Sequence, residues 1–433
     1  MTMPNKPGMP RFLSLLAGSL ILAATPAHAA SLYVEAGRLI DVENGSVSTG
    51  QCILTEGEKV ARIEACGATP EGAERVDWSG FTVLPGLMDL HTHLADTSQS
   101  SDLAEPIRKT PADTALIGAH NAYLTLQAGF TAVRDVGTYR GLTDVALRNA
   151  INQGLVPGPR MFVAGGYLTT PGGGGELNGV VPNELLPPDM RLGVSSTAEE
   201  TRLKAEHLFD GGVDFLKLIA TGAVLAVGTD VNAPELSEDQ MRAAVEVAKA
   251  HGSYAIAHGH GAEGIKAAIR AGARSIEHAS LIDDEGLRLA REKGAWLVMD
   301  IYNGTFIEEV GTAEGWPAEY LEKNRATTDA QREQFSKAVK MGVRIGYGTD
   351  AGVYPHGFNA RQFRNMVRYG MTPIQAIRSA TIDAATLVGH ADEIGSLKPG
   401  KYADLIAVAG DPLDDITVLE SVSGVIKGGQ RYK

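Results

Sequence analysis

Between residues 81 and about 350 one unit recurs: a helical pattern, a glycine that stops it, and a short β-rich run. Gly129-Phe-Thr-Ala-Val, Gly212-Val-Asp-Phe-Leu, Gly252-Ser-Tyr-Ala-Ile, Gly272-Ala-Arg-Ser-Ile, Gly294-Ala-Trp-Leu-Val and Gly342-Val-Arg-Ile-Gly all have this form. A glycine just past a helix end adopts the left-handed conformation that closes the last turn, and the apolar run after it reads as a strand buried on both faces. Adding Phe81 to His93 and Arg160 to Gly165 gives eight strands alternating with helices. With no hairpin signal between them, the pattern predicts an α/β chain whose parallel strands close into a (β/α)8 TIM-like barrel.

The flanks of the repeat read differently. Residues 30–80 and 394–433 carry short alternating runs and turns such as Glu56-Gly57-Glu58 and Lys398-Pro399-Gly400, so both ends are expected to meet in one small β-sandwich beside a barrel over 81–393. Residues 1–29 hold Lys6 and Arg11, the apolar run Phe12 to Ala24, and Ala27-His28-Ala29 before Ala30, the pattern of a secretory signal peptide. A membrane anchor is the other reading, but the run is short for a bilayer core of about 30 Å. Export is therefore expected, to the periplasm if the source is Gram-negative and otherwise as a secreted protein. Without Lys6 and Arg11 the formal charge moves from -13 to -15, and no basic block is present. That argues against nucleic acid and anionic membranes as partners and favours a small molecule or short peptide. The two cysteines, Cys52 and Cys66, are close enough in sequence for a disulfide in an oxidising compartment. A hairpin turning at Gly57-Glu58 would instead set Cys52 opposite Ile63, so both states stay open.

Ligand-type residues fall at the expected strand ends. His91 and His93 end the first strand two residues apart, which puts both imidazoles on one face and within reach of one metal ion, with Asp89 on the same face as an orienting carboxylate. Lys217 closes the fourth strand, His258 the fifth, His278 the sixth and Asp350 the eighth. Lys217 sits among four large apolar neighbours, where an ammonium is costly unless paired or neutral. A neutral amine there can capture carbon dioxide as a carbamate bridging two metals; a snorkelling lysine, or one paired with Asp214, is the equal alternative.

Pro85-Gly86-Leu87-Met88-Asp89-Leu90-His91-Thr92-His93, taken with Lys217, His258, His278 and Gly348-Thr349-Asp350, resembles the amidohydrolase superfamily. The tail Ile394-Gly-Ser-Leu-Lys-Pro-Gly-Lys-Tyr-Ala-Asp404 is similar to that family's closing β segment, and the pattern looks closest to the Xaa-Pro dipeptidase, imidazolonepropionase-related and ochratoxin-hydrolysing branch. The resemblance implies two divalent metal ions, zinc by family habit. His91 and His93 would hold one, His258 and His278 the other, carboxylated Lys217 would bridge them, and Asp350 would bind the first metal and carry protons. It also implies a homo-oligomer, and hydrolysis of a peptide or N-acyl amino acid with a free carboxylate, ochratoxin A among the options.

Two departures from the family pattern stand out. The loop from Thr169 to Pro188 has Pro171-Gly-Gly-Gly-Gly175 where dipeptidases of this branch often carry a histidine. His260, two residues past His258, is expected either to contact substrate or to sit at the rim in solvent. His356 is a weaker candidate, and His120, His207, His251 and His390 read as structural or solvated. The rival readings are a metal-dependent deaminase or cyclic-amide hydrolase on the same frame, which need not use Lys217, and a periplasmic binding protein without catalysis. No Gly-x-Ser-x-Gly elbow supports a serine mechanism.

Overall fold

The computed structural model describes residue 2, residues 31–97 and residues 101–433. The expected signal peptide, apart from Thr2, lies outside the described residues. The chain opens with four strands, β1 (Ser31–Ile40), β2 (Val47–Glu56), β3 (Lys59–Ala65) and β4 (Ala73–Pro85). Nine more follow, interleaved with helices: β5 (Leu87–Thr92), β6 (Phe130–Asp135), β7 (Arg160–Val163), β8 (Tyr167–Leu168), β9 (Leu216–Ile219), β10 (Ala255–Gly261), β11 (Ser275–Leu281), β12 (Trp296–Val298) and β13 (Arg344–Gly346). The tail adds β14 (Leu405–Val408), β15 (Val422–Lys427) and β16 (Gln430–Arg431).

The molecule is an α/β protein with parallel central strands. β5, β6 and β7 form one three-stranded sheet and β8 to β13 a six-stranded one, every pairing in both being parallel. Further backbone bonds join the last strand region to the first: Leu90 N–H donates to Tyr347 O and Asp350 N–H to His91 O, each at 2.8 Å. All six punctuating glycines, Gly129, Gly212, Gly252, Gly272, Gly294 and Gly342, take positive φ between 67° and 101°. The sequence periodicity thus reflects how each helix ends before the next strand.

Two of the eight expected strands are divided differently. The run Phe81 to His93 is two strands: β4 continues to Pro85 and pairs with β14 of the tail, and only β5 joins β6. Gly86 is the break, because a Cβ there would overlap the Thr131 side chain. The run Arg160 to Gly165 stops at Val163; Gly165, at φ 77°, redirects the chain so that β8 pairs with β9.

Both chain ends contribute to one seven-stranded sheet of order β16-β15-β14-β4-β1-β2-β3. Leu32, Val34, Ile53, Val76, Trp78, Leu405 and Ile426 form its own buried core. A bulge between Leu54 and Thr55 slides the β2–β3 register by one residue, so Cys52 faces Glu64 rather than the expected Ile63. Cys66 then lies diagonally from Cys52 on the same face, and the two form a disulfide with Cα atoms 4.9 Å apart. Among the described residues no helix is long and apolar enough to cross a membrane.

Candidate active site

Parallel strands deliver their C-terminal ends to one edge, and there the sheet gathers its titratable groups. His91 and His93 come from the end of β5, Lys217 from β9, His258 and His260 from β10, His278 from β11, Asp300 from just beyond β12 and Asp350 from beyond β13, and all line one cavity. Three sets of ligand atoms lie within 4.8 Å of one another: His91, His93 and Asp350; His278, Asp300 and Asp350; and His258, His260 and His278. His278 and Asp350 have φ of 65° and 58°, a left-handed backbone that side chains larger than glycine adopt at a cost of the order of 1–3 kcal/mol. The Asp350 N–H bond to His91 O at 2.8 Å is one of the contacts holding that conformation.

Three of the rings are held from behind at Nδ1, whereas His258 meets Gly222 O through Nε2 at 3.3 Å. Glu277 Oε2 is 2.9 Å from His91 Nδ1, and the same carboxylate takes Arg134 Nη2 at 2.8 Å and Ser275 Oγ at 2.5 Å. His93 Nδ1 is 2.8 Å from Gly137 O, with the Tyr167 hydroxyl 3.3 Å from the same nitrogen. Asp300 Oδ1 lies 3.0 Å from His278 Nδ1 and accepts from Gln331 Nε2 at 2.8 Å. An acceptor on Nδ1 fixes the proton there and turns a bare Nε2 into the cavity, the tautomer a metal ligand needs. His91 Nε2 and His93 Nε2 accordingly converge on Asp350 Oδ1, at 3.4 and 3.3 Å.

The electrostatics agree with that donor chemistry. Burial pulls the Lys217 ammonium down to about 8, so neutral amine is populated near pH 8. Burial, with His278 beside them, keeps the His258 imidazole neutral and brings His260 down to about 3. Burial opposes charge on Asp350, but the His91, His93 and His278 rings outweigh it and hold the carboxyl well below its usual range. The neutral His258 and His260 imidazoles, an ionised carboxylate and a deprotonatable amine on one cavity fit divalent cations bound by nitrogen and oxygen.

All seven expected site residues are thus in one place. His260 is buried with Nδ1 2.9 Å from Ser280 Oγ, which removes the solvated-rim alternative. Asp214 pairs with Arg148 at 2.8 Å, so it is not the partner of Lys217. Asp89 accepts from the backbone N–H of His91 and Thr349 at 3.2 and 3.1 Å and from Asn359 Nδ2 at 2.7 Å. It therefore ties two strand ends together, while the His91 ring is oriented by Glu277. His356 is buried but does not line the cavity. His251 stacks on Phe209 and bonds Glu206 at 2.7 Å, and His390 bonds Glu393 at 2.6 Å, both away from the site.

The model for the amidohydrolase family matches residues 82–432. This chain belongs to that family. The ochratoxinase of Aspergillus niger is 30% identical over 447 residues, covering 98% of this chain and 91% of the relative. Its crystal structure superposes with a TM-score of 0.81 at 29% identity, over 94% of this chain and 96% of the other. A Xaa-Pro dipeptidase crystallised with methionine in its active site gives a TM-score of 0.88 at 36% identity, over 93% of this chain and all of that one. The imidazolonepropionase of Micrococcus luteus is 25% identical over 397 residues, 87% of this chain and 92% of the relative. As an amidohydrolase with these relatives, the chain is a metal-dependent hydrolase acting on amide bonds.

Proposed function

We propose an exported amidohydrolase with two zinc ions that cleaves the amide of a peptide or N-acyl amino acid bearing a free carboxylate, with ochratoxin A in its range. The observation that carries this reading is the meeting of His91, His93, Lys217, His258, His278 and Asp350 on one cavity. In this reading His91, His93 and Asp350 would hold one ion, His258 and His278 would hold a second, and Lys217 as a carbamate would supply oxygen donors to them. Lys217 makes no hydrogen bond or ion pair within reach among the described residues, which supports a role other than charge pairing. The ions, when bound, supply Lewis acidity that polarises the scissile carbonyl and an attacking water.

The remaining steps fall to the chain's own side chains. Asp350 accepts the proton of the attacking water and returns it to the leaving nitrogen, because an unprotonated amine leaves poorly. Asn303 Nδ2 donates to Asp350 Oδ2 at 3.0 Å and so fixes how that carboxylate faces the cavity. His260 faces substrate from beside His258 and His278. Tyr139 lines the cavity and would offer its hydroxyl to the carboxylate, while Tyr167 donates to Gly137 O at 3.1 Å.

Several features support the wider reading. The bonds from Leu90 to Tyr347 and from Asp350 to His91 support closure of the central strands into an eight-stranded barrel. Val60 and Gly400 exchanging with Lys401 and Val60 support a terminal sheet curled into a sandwich. The Cys52–Cys66 disulfide supports an oxidising, exported location, and the exposed Leu116 and Tyr123, seven apart on one helix, support a homo-oligomer. The likeness to an imidazolonepropionase keeps a cyclic-amide hydrolase or deaminase as the second reading.

Incubating zinc-loaded mature protein with dipeptides, N-acyl amino acids, ochratoxin A, cyclic amides and exocyclic amines separates the two. Release of free amino acid from the first three, falling sharply when the carboxylate is amidated, is the expected result. Turnover confined to ring opening or ammonia release would replace it by the second reading.

A further inference from the structure

One side of the cavity is apolar and built separately from the main core. Val224 and Leu225 follow β9, Ile307 follows β12 and Val353 follows β13; all four line the cavity and pack with Trp316 and Tyr320 in one cluster. The wall is held in place rather than left as loose loop. Lys323 Nζ donates to Ala226 O at 2.7 Å and pairs with Glu319, whose carboxylate accepts from Gly228 N–H at 2.8 Å. Thr229 Oγ1 closes the same loop onto Ala226 O at 3.0 Å. Ile307 begins a π-helical stretch, Ile307–Gly311, a form of helix often found at functional sites.

Asn303 stands one turn before Ile307 on that helix and lines the same cavity. Its Nδ2 donates to Asp300 Oδ2 and to Asp350 Oδ2, both at 3.0 Å, so the amide cannot be turned around without setting its oxygen against two carboxylates. Oδ1 is therefore fixed as an acceptor, and it is buried with no partner in the protein. A buried acceptor in that state is costly unless something donates to it.

We propose that the amine half of the substrate is an amino acid with a branched or aromatic side chain joined through a secondary amide, whose N–H donates to Asn303 Oδ1 while its side chain rests on Val224, Ile307 and Val353. The spacing is the ground for assigning both contacts to one half: Asn303 and Ile307 are four apart and share a helix face. The proposal rests on the reading of Asp350 as the proton carrier, since that places the leaving nitrogen beside Asn303. It separates this chain's preference from prolyl amides, which have no N–H at the scissile nitrogen.

The test compares N-acetyl-L-leucine, N-acetylglycine and N-acetyl-N-methyl-L-leucine on the zinc-loaded enzyme, with calorimetric binding of free L-leucine and glycine. Leucine should exceed glycine in kcat/KM by on the order of 10- to 100-fold, the usual scale for filling an apolar pocket. N-methylation should cost on the order of tenfold or more. In Asn303→Leu the absolute rate falls, but the N-methyl penalty should shrink toward one, which a merely structural asparagine would not produce. Ile307→Ala should compress the leucine-to-glycine ratio in both turnover and binding, and the milder Val224→Ala should do so in part if Ile307→Ala folds poorly. Hydrolysis with equal rates for all three amides overturns the proposal and leaves the hydrolase intact. No hydrolysis, with tighter binding of leucine that Ile307→Ala abolishes, sinks the N-acyl amino acid reading while the side-chain subsite stands.

Discussion

Asp350 gathers more of the site than any other side chain. Its Oδ1 faces the His91 and His93 rings and its Oδ2 accepts from Asn303. Against the cost of burial those rings keep it ionised, so it can take a proton during attack and release it afterwards. Asp350→Asn keeps an oxygen for a metal but loses the proton shuttle. Metal content should stay near that of wild type, and turnover should fall by on the order of a hundredfold or more. Glu235 offers a titration away from the ligands. Burial raises its carboxyl from 4.5 to about 7, although Gly174 N–H donates to it at 2.8 Å. The folded state thus holds this proton more tightly than the unfolded state, and stability is lost as pH rises from about 4.5 to about 7. Thermal midpoints of Glu235→Gln should lack that part of the decline. An identical pH profile for the variant would mean the carboxyl is unshifted. Strand-end position exposed His91, His93, Lys217, His258, His278 and Asp350 in the sequence because a parallel sheet sends every strand end to one edge. Asp300 obeys the same rule after β12 and was legible in principle. Arg134 and Glu277, charged inside apolar runs, carry the signal that singled out Lys217. Asn303 and Gln331 come from helices, where nothing local marks a residue as facing the site.

At the scale of elements, glycines mark helix ends and strands follow them, which is why the order of the central strands could be read in advance. The reading fails where one glycine changes a strand's partner: Gly86 passes the chain from β14 to β6, and Gly165 passes it from the three-stranded sheet to β9. Such exchanges depend on contacts distant in sequence and leave no periodic trace. The Cys52–Cys66 link was open for a similar reason, since one bulge residue decides which side chains are diagonal neighbours. This disulfide closes a loop of sequence separation 14, for which loop entropy gives about 3 kcal/mol. A Cys52→Ala, Cys66→Ala variant should lose roughly 2–3 kcal/mol in denaturant unfolding while keeping normal kcat/KM, because the link lies in the terminal sheet. A drop in turnover without loss of stability would instead tie that sheet to catalysis.

At the scale of the whole molecule, the sheet edge and the loops above it serve one cavity, and its chemistry depends on how many cations the cavity holds. Six groups from five strand ends, with the His258 imidazole kept neutral and the Lys217 ammonium destabilised by burial, support the proposed pair of cations. A deaminase on the same frame would need one ion and no bridging lysine. The decisive measurement is the number of metal ions per chain, determined by elemental analysis on the same samples assayed for amide hydrolysis, for wild type and Lys217→Ala. Two ions per chain in the active wild type are expected, with at least one lost together with activity in Lys217→Ala, and partial recovery on adding short carboxylic acids. One ion in a fully active wild type, or two ions and undiminished turnover in Lys217→Ala, would contradict the binuclear centre.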